Sequence, residues 1–292
     1  MGCMISLDPK DLSTGKLHGY LLSAVAPRPI AFASTMDQDG NPNLSPFSFF
    51  NVFSANPPVL IFSPARRVRD NTTKHTLENV EVLNEVVINV VNYDIVHQMS
   101  LSSTEYPEGV NEFEKAGLTM LPSDKVQPFR VAESPVQFEC KVNDIIKLGT
   151  EGGAGNLVIC EVVKLHISED VLNADKTINQ EALDLVARAG GSYYSRAKQG
   201  FFEIPKPLRT MGIGVDALPE DIKNSMILTG NDLGMLANVD SLPSKDEVKA
   251  FIEDLSERYP EIKSASHREK QKLARNYLSY GDVESAWKLL LS

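Results

Sequence analysis

The sequence contains few cysteines and no long apolar run. Its three cysteines, Cys3, Cys140 and Cys160, form no CxxC pair, which argues against a disulfide framework or a zinc site and is typical of a reducing cytoplasm. No apolar stretch approaches the roughly 20 residues that a helix needs to cross a bilayer. The N-terminus also lacks the basic and then apolar order of a secretory signal. We therefore expect a cytoplasmic protein with no membrane partner.

Positive charge is also in short supply. The 292 residues include 29 Lys and Arg against 39 Asp and Glu, a formal net charge of −10. Such a balance argues against nucleic acid as a partner. The chain has no cluster with metal-ligand spacing, and no GxGxxG segment in a strand-to-helix context. Any site for an anion must therefore be local.

One loop departs from this acidic background. Between residues 64 and 75 the chain carries a single acid, Asp70, and four basic residues: Arg66, Arg67, Arg69 and Lys74. A helix is predicted directly afterwards, over residues 73–83, and the free N–H groups at a helix N-terminus favour an anion. Lys74 adds a full charge, the hydroxyls of Thr73 and Thr76 can donate, and Arg66 or Arg67 could hold two oxygens at once. This combination suits a phosphate monoester. The alternative is a solvated loop in which Thr73 only caps the helix.

Short strands with inserted helices predict a small, mainly antiparallel barrel. About six strands are expected between residues 20 and 168, too close together for regular βαβ units. They are predicted near residues 28–36, 43–53, 59–65, 86–91, 136–142 and 157–167. Pro46 indicates an edge position or a bulge, and Gly117 is a plausible helix C-cap. Regular alternation would place His166 on the strand face of Val158, Cys160 and Val162.

The composition changes after residue 205. A stretch punctuated by Gly and Pro is followed by charged helical segments, and Ser244 with Glu247 three residues later forms a capping-box pattern. We predict a barrel domain over residues 1–205 and a small helical appendage over residues 210–292.

Between about Tyr20 and Val171, five segments resemble segments of the flavin reductase-like family and occur in the same order as in that family. They are "VAPRPIAFAST", "NLSPFSFFN", "KHTLENV", "NEFEKAGLT" and "GNLVICEVVKLHI". The resemblance implies an FMN-binding split β-barrel and a homodimer. Pyridoxamine-phosphate oxidases share this barrel, but their loop sequences fit less well.

The resemblance also implies cofactor-binding residues. The segment Lys74, His75 and Thr76 would hold the flavin phosphate, with Arg28 and Ser63 as nearby basic and hydroxyl groups. A second set would run beside the isoalloxazine and bind its pyrimidine edge, largely through backbone groups: Ser45, Pro46, Phe47 and Ser48. Pro46 fixes the local backbone, so that the next amides can point at a ligand. Phe47 would offer apolar surface to the ring, whereas Phe49, Phe50 and Phe53 are expected in the core.

Two positions depart from the family pattern. His75 stands where Asp is usual, and it could either touch the phosphate or face solvent. Direct contact would make phosphate affinity fall as the imidazole loses its proton. The stretch Ala154-Gly155-Asn156 replaces a Gly-Asp-His segment that another branch of the family is thought to use against the nicotinamide. Direct use of NAD(P)H is therefore left open.

The expected function is that of an FMN-dependent oxidoreductase. It would pass electrons from NAD(P)H or a protein donor, through bound FMN, to a small-molecule or flavin acceptor. In such proteins the cofactor carries the chemistry and the chain supplies position and electrostatics. No protein side chain is predicted to be catalytic. The alternatives are a non-enzymatic electron carrier like flavoredoxin, and a barrel without cofactor whose helical tail is an interaction surface.

Overall fold

The computed structural model describes residues 2, 4–107, 109–204, 206 and 211–292. The chain forms two compact units, one ending at Phe202 and the other beginning at Glu203. Cys3 and both predicted domain limits, residues 205 and 210, lie outside the described residues. Among the helices that are described, none is long and apolar enough to cross a membrane.

The first unit is built on one seven-stranded sheet. Its strands are β1 (Ala31–Met36), β2 (Pro42–Phe47), β3 (Phe50–Ala55), β4 (Pro58–Phe62), β5 (Glu85–Val90), β8 (Val136–Lys147) and β9 (Asn156–Ile167). Two short ribbons complete the set: β6 (Met120–Leu121) with β7 (Arg130–Val131), and β10 (Val186–Arg188) with β11 (Tyr194–Arg196). The sheet order is β2-β1-β5-β8-β9-β4-β3, and every pairing in it is antiparallel.

This order forces the sheet to curl. Strands β2 and β3 lie at opposite edges, yet only Ser48 and Phe49 separate them in the chain. In a flat sheet the edges would lie six strand spacings apart, about 29 Å, whereas three peptide steps reach only about 10 Å. The predicted antiparallel barrel is confirmed, and Pro46 lies on an edge strand as expected. The sequence predicted a single strand over residues 43–53. The structure has two strands there, because at Ser48 the chain passes from one edge of the sheet to the other.

Helices are inserted between the strands. They are α1 (Thr14–Ala24), α2 (His75–Leu83), α3 (Val96–Leu101), α4 (Glu112–Ala116) and α5 (Gln180–Leu183). Leu77 and Val80 of α2 are buried against the barrel interior with Phe62 and Val86, so packing fixes where the N-terminus of α2 lies. The helix begins two residues later than predicted. Gly117 ends α4 with φ +65°, as expected for a left-handed cap.

The long β8–β9 hairpin contains a bulge that changes the predicted faces. Cys140 pairs with Val162 but Glu139 pairs with Lys164, so Val163 is an extra residue on β9. The placement of His166 on the face of Val162 is therefore wrong. His166 lies on the Glu139 face, where its Nε2 is 2.6 Å from Glu139 Oε1.

Glu139 is fully buried and holds the loop before β7 in place. Its carboxylate accepts hydrogen bonds from the amides of Asp124 (2.9 Å) and Lys125 (2.5 Å). Burial alone would raise the pKa of Glu139, but these amides and His166 hold that pKa below its ordinary value.

Glu139→Ala is expected to destabilise the first unit by about 2 kcal/mol, because two partly buried amides lose their acceptor. A carboxyl with a lowered folded pKa contributes stability that is present above its unfolded pKa and is lost as pH falls through the folded value. Denaturant unfolding of Glu139→Gln should therefore show a weaker loss of stability in acid than the wild type. Equal acid sensitivity of the two proteins would contradict this role.

The second unit is helical. Its helices are α6 (Glu220–Lys223), α7 (Gly230–Ala237), α8 (Lys245–Arg258), α9 (His267–Ser279) and α10 (Val283–Leu290). Ser244 and Glu247 form the predicted capping box of α8. The charged helical region predicted at the end of the chain is interrupted at Gly281, whose φ is +78°. The core of this unit surrounds Trp287, which is 1% exposed and donates from Nε1 to the carbonyl of Leu236 at 2.9 Å.

Candidate functional site

The N-terminus of α2 offers two amides without acceptors. Lys74 precedes the helix in an extended conformation and provides no side-chain cap. Its carbonyl accepts from the amides of Leu77 and Glu78. In the part of the chain that the structure describes, the amides of His75 and Thr76 have no acceptor. Unpaired amides at a helix N-terminus carry partial positive charge and favour an anion.

Lys74 is half-buried and lines the same cleft as His75 and Thr76. Among the described residues it forms neither an ion pair nor a hydrogen bond, although Arg67 and Glu105 are close enough to act on its charge. Burial lowers the pKa of Lys74, the charge of Arg67 lowers it further, and Glu105 opposes the shift. A desolvated cation without a partner is costly until an anion approaches it.

A buried polar network orients Thr76. Asn43, on β2, donates from Nδ2 to Thr76 Oγ1 at 2.9 Å and to Thr35 Oγ1 at 3.1 Å. Asn79 also donates to Thr35 Oγ1, at 3.1 Å. Because Thr76 Oγ1 accepts from Asn43, its own proton is left to donate elsewhere. The network thus presents a hydroxyl donor next to the free amides.

The arginines of the basic loop are largely engaged by the loop itself and by Glu105. Arg66 donates to Asn71 Oδ1 (2.6 Å) and to the Asn71 carbonyl (2.5 Å). Arg67 pairs with Glu105 at 3.2 Å, and Arg69 pairs with Glu105 at 3.0 Å and with Asp70 at 3.1 Å. The expectation that Arg66 or Arg67 holds two oxygens of a ligand stays a prediction for Arg67 alone, because the Nε and Nη2 groups of Arg66 fasten the loop to itself. Arg67 still borders the cleft with part of its donors.

Four of the predicted residues line one cleft: Ser45, Lys74, His75 and Thr76. The opposite wall is the segment 102–106, with Glu112 from the start of α4. Sequence reasoning missed this wall and Asn43. The run of hydroxyls Ser102-Ser103-Thr104 after an apolar helix was the available signal. Glu112 is buried and accepts from the Leu44 amide at 3.0 Å. Burial raises the pKa of Glu112, partly offset by hydrogen bonds from backbone amides and by His75.

Arg28 and Ser48 form a second group. The buried Arg28 guanidinium donates to the carbonyls of Leu22 (2.5 Å) and Val25 (2.6 Å) at the end of α1. Its Nε donates to Ser48 Oγ at 3.4 Å. Arg28 therefore fixes the Ser48 turn and is not among the residues lining the Lys74 cleft. The Ser48 amide has no acceptor among the described residues.

The predicted roles of Phe47, Phe49 and Phe53 are reversed, whereas Phe50 packs against the barrel core as predicted. Phe47 is 8% exposed and packs on Phe62, with ring centroids 5.4 Å apart. Phe49 and Phe53 are 38% and 64% exposed. The expectation that Phe47 presents apolar surface to a ligand is wrong, because its side chain points into the barrel core. The expectation that Phe49 and Phe53 lie in the core is also wrong, because they flank or belong to the edge strand β3. Pro46 is half-buried on β2.

Ser63 lies where β4 ends, against the start of β9. A Cβ on Gly155 would lie 2.8 Å from Ser63 Oγ, so a larger residue there would require the Ser63 hydroxyl to move. The buried Asn156 donates from Nδ2 to the Pro64 carbonyl at 2.9 Å. Ala154-Gly155-Asn156 therefore packs against the strand end, and Ser63 keeps a hydroxyl with no hydrogen bond to another described residue.

Comparisons with known proteins agree with this architecture. Residues 23–187 match the flavin reductase like domain, and they all lie in the first unit. A protein of Halalkalibacterium halodurans is 38% identical over 199 residues, 68% of this chain and 94% of that protein. A protein of Aquifex aeolicus is 37% identical over 188 residues, 64% of this chain and 93% of that protein.

Solved structures show the same fold. Nitrilotriacetate monooxygenase component B from Bacillus cereus superposes with a TM-score of 0.66 at 27% identity, covering 70% of this chain and all of that one. The 2-nitrobenzoate 2-nitroreductase of Pseudomonas fluorescens superposes with a TM-score of 0.64 at 23% identity, covering 72% of this chain and all of that chain. A split-barrel-domain protein from Shewanella frigidimarina superposes with a TM-score of 0.57 at 27% identity, covering 68% of this chain and 95% of that chain. The chain belongs to the flavin reductase-like family of flavin-related oxidoreductases and has its split-barrel fold.

Proposed function

We propose that the chain binds FMN and uses it as an oxidoreductase, with the terminal phosphate in the cleft at the N-terminus of α2. The observation that carries the proposal is the half-buried Lys74, without a described partner, in the same cleft as His75 and Thr76 with their free amides. The Thr76 hydroxyl adds a donor held in place by Asn43. A phosphate dianion would satisfy all four groups at once. FMN fits this site better than FAD, because the cleft suits a terminal phosphate monoester.

Ser45, Pro46 and Ser48 are assigned to the flavin ring, and the predicted places of Arg28 and Ser63 near the phosphate stay predictions. Ser45 and the free Ser48 amide would bind the polar edge of the ring, and Pro46 would fix the backbone between them. Arg28 acts through Ser48, whose hydroxyl it holds. Ser63 offers its free hydroxyl from the end of β4. The contribution of His75, half-buried on the cleft wall, stays a prediction.

Bound FMN supplies reversible electron transfer, and the chain's own residues supply binding and orientation. The electron donor is proposed to be NAD(P)H or a protein, and the acceptor a small molecule or a second flavin. Titrations with riboflavin, FMN and FAD, followed by steady-state oxidation of NAD(P)H, test the proposal. FMN should bind tightest. Fast NAD(P)H oxidation identifies a reductase, and tight FMN binding with slow oxidation identifies an electron carrier.

Glu112 should weaken phosphate binding by its negative charge. In Glu112→Gln the amide oxygen can still accept from Leu44, while the charge on the cleft wall is removed. We expect FMN to bind about three- to ten-fold more tightly, as removal of one nearby charge predicts. Riboflavin, which has no phosphate, serves as the control ligand and should bind unchanged. An equal gain for both ligands would show that the effect is not electrostatic.

We also propose a cytoplasmic homodimer. Strand β3 is an edge strand. Phe49, in the turn before it, is 38% exposed, and Val52 and Phe53 on the strand are 63% and 64% exposed. An exposed apolar edge of this kind is expected to be covered by a partner. Cys140 and Cys160 are buried free thiols, which suits a reducing compartment. Sedimentation equilibrium that gives a monomer with FMN bound would overturn the dimer.

A further inference from the structure

The second unit contains an apolar groove along one face of α8. The groove has a volume of about 710 Å³. Its apolar lining includes Val248 and Ile252 from α8, with Leu242 before the helix and Leu291 at the end of α10. All four side chains are partly exposed. Ile252 and Leu291 also pack against the core of this unit, and the exposed parts of the four side chains form an apolar strip.

Lysines line the same groove. Lys245 and Lys249 lie on α8, and Lys263 lies across from them in the short 3₁₀ helix Pro260–Ser264. Lys245, Val248, Lys249 and Ile252 follow the spacing i, i+3, i+4, i+7, so they share one helix face. This face is about 10 Å long, or two helical turns. Glu253 is the one acidic side chain among the residues that line it.

These three lysines differ from four other cations of the second unit, which are paired with carboxylates. Lys223, Arg258, Arg275 and Lys288 each lie within 4.0 Å of a carboxylate. Lys245, Lys249 and Lys263 have no carboxylate within that distance among the described residues. Three lysines without an ion-pair partner among the described residues therefore line an apolar strip, against the single acid Glu253, in a chain with a formal net charge of −10.

We propose that this groove docks an amphipathic helix of a partner protein, with acidic residues flanking an apolar stripe. The occupant's apolar side chains would contact Val248, Ile252 and Leu291. Its carboxylates would pair with Lys245, Lys249 and Lys263. The concave shape and the two-turn apolar stripe match a helix lying in a groove. The surrounding charge selects an acidic partner and speeds its association.

The test uses a displayed library of 14-residue helical peptides selected on the full chain. Each peptide carries a fixed apolar stripe, with Glu, Lys or Ser at the flanking positions. Enrichment of Glu-rich peptides is expected. Fluorescence anisotropy with the enriched peptide should then show at least about ten-fold weaker binding to Lys245→Glu/Lys249→Glu, and weaker binding at higher salt.

The matched control is Arg268→Glu/Lys272→Glu, which makes the same charge change at exposed positions of α9. Its peptide affinity should equal that of the wild type, and circular dichroism should show both variants folded. No enrichment, enrichment without acidic bias, or an equal loss in the control would overturn the proposal. So would binding of phosphatidylserine vesicles in preference to the peptides. Self-association that the groove variant abolishes would also overturn it, because the occupant would then be a second copy.

Discussion

Lys74→Met is expected to weaken FMN binding by about 10- to 100-fold, the value of one charge-assisted hydrogen bond. Riboflavin affinity should stay within about two-fold, since the lost contact is to the phosphate. The ammonium has no ion-pair partner among the described residues, so its removal leaves no buried carboxylate unpaired. Isothermal titration with FMN and riboflavin measures the difference.

The same substitution should stabilise the flavin-free chain. Burial and the charge of Arg67 lower the pKa of Lys74 in the folded state. Protonated Lys74 therefore subtracts from stability below its folded pKa, and this penalty disappears as pH rises toward the ordinary lysine range. Flavin-free Lys74→Met should melt at a higher temperature than the wild type at neutral pH. The two should converge in alkali.

Lys176→Met is the control for both measurements. It removes one positive charge from the same unit at an exposed ion pair with Glu169. FMN affinity and melting temperature should hardly change. Equal losses of FMN and riboflavin affinity in Lys74→Met would place the phosphate elsewhere.

Trp287→Ala should unfold the second unit. The indole is 1% exposed at the centre of a helical core, and its Nε1 donates to the Leu236 carbonyl. Truncation of a buried tryptophan costs about 3–5 kcal/mol. The free energy of unfolding of a unit of this size is only about 5–13 kcal/mol, so the substitution removes a large part of it. Loss of helical circular dichroism and rapid proteolysis after residue 203 are the expected results.

FMN binding should survive in Trp287→Ala, because every proposed cofactor residue lies in the first unit. Trp287→Phe fills most of the core volume and should retain the helical signal, with a modest loss from the missing hydrogen bond. If Trp287→Ala lost FMN binding together with helicity, the two units would not be independent. The proposed division of the chain into two domains would then be wrong.

The fold could be predicted from the sequence where side-chain patterns are local. Alternation along 136–142, Pro46 at an edge, and the Ser244–Glu247 cap each depend on a few neighbouring residues. The face of His166 could not be predicted, because one extra residue at Val163 reverses the alternation. Period-two patterns carry no information on where a bulge falls.

The candidate site was predictable in its centre but not in its surroundings. Lys74, His75 and Thr76 adjoin a helix start, so the proposed anion site is a local feature. Glu105 is 31 positions from Lys74 in the sequence, and only the folded chain brings it to Arg67 and Arg69. The same holds for Phe47, whose burial depends on how the sheet curls. Tertiary contacts thus decided which basic residues remain available.

The most direct test of the account is the visible absorption spectrum of the purified chain, with chromatography of the compound that heating releases. The account predicts a flavin spectrum and release of FMN, or uptake of added FMN by a chain purified without it. A colourless chain that takes up no FMN would contradict the proposed cofactor site at Lys74.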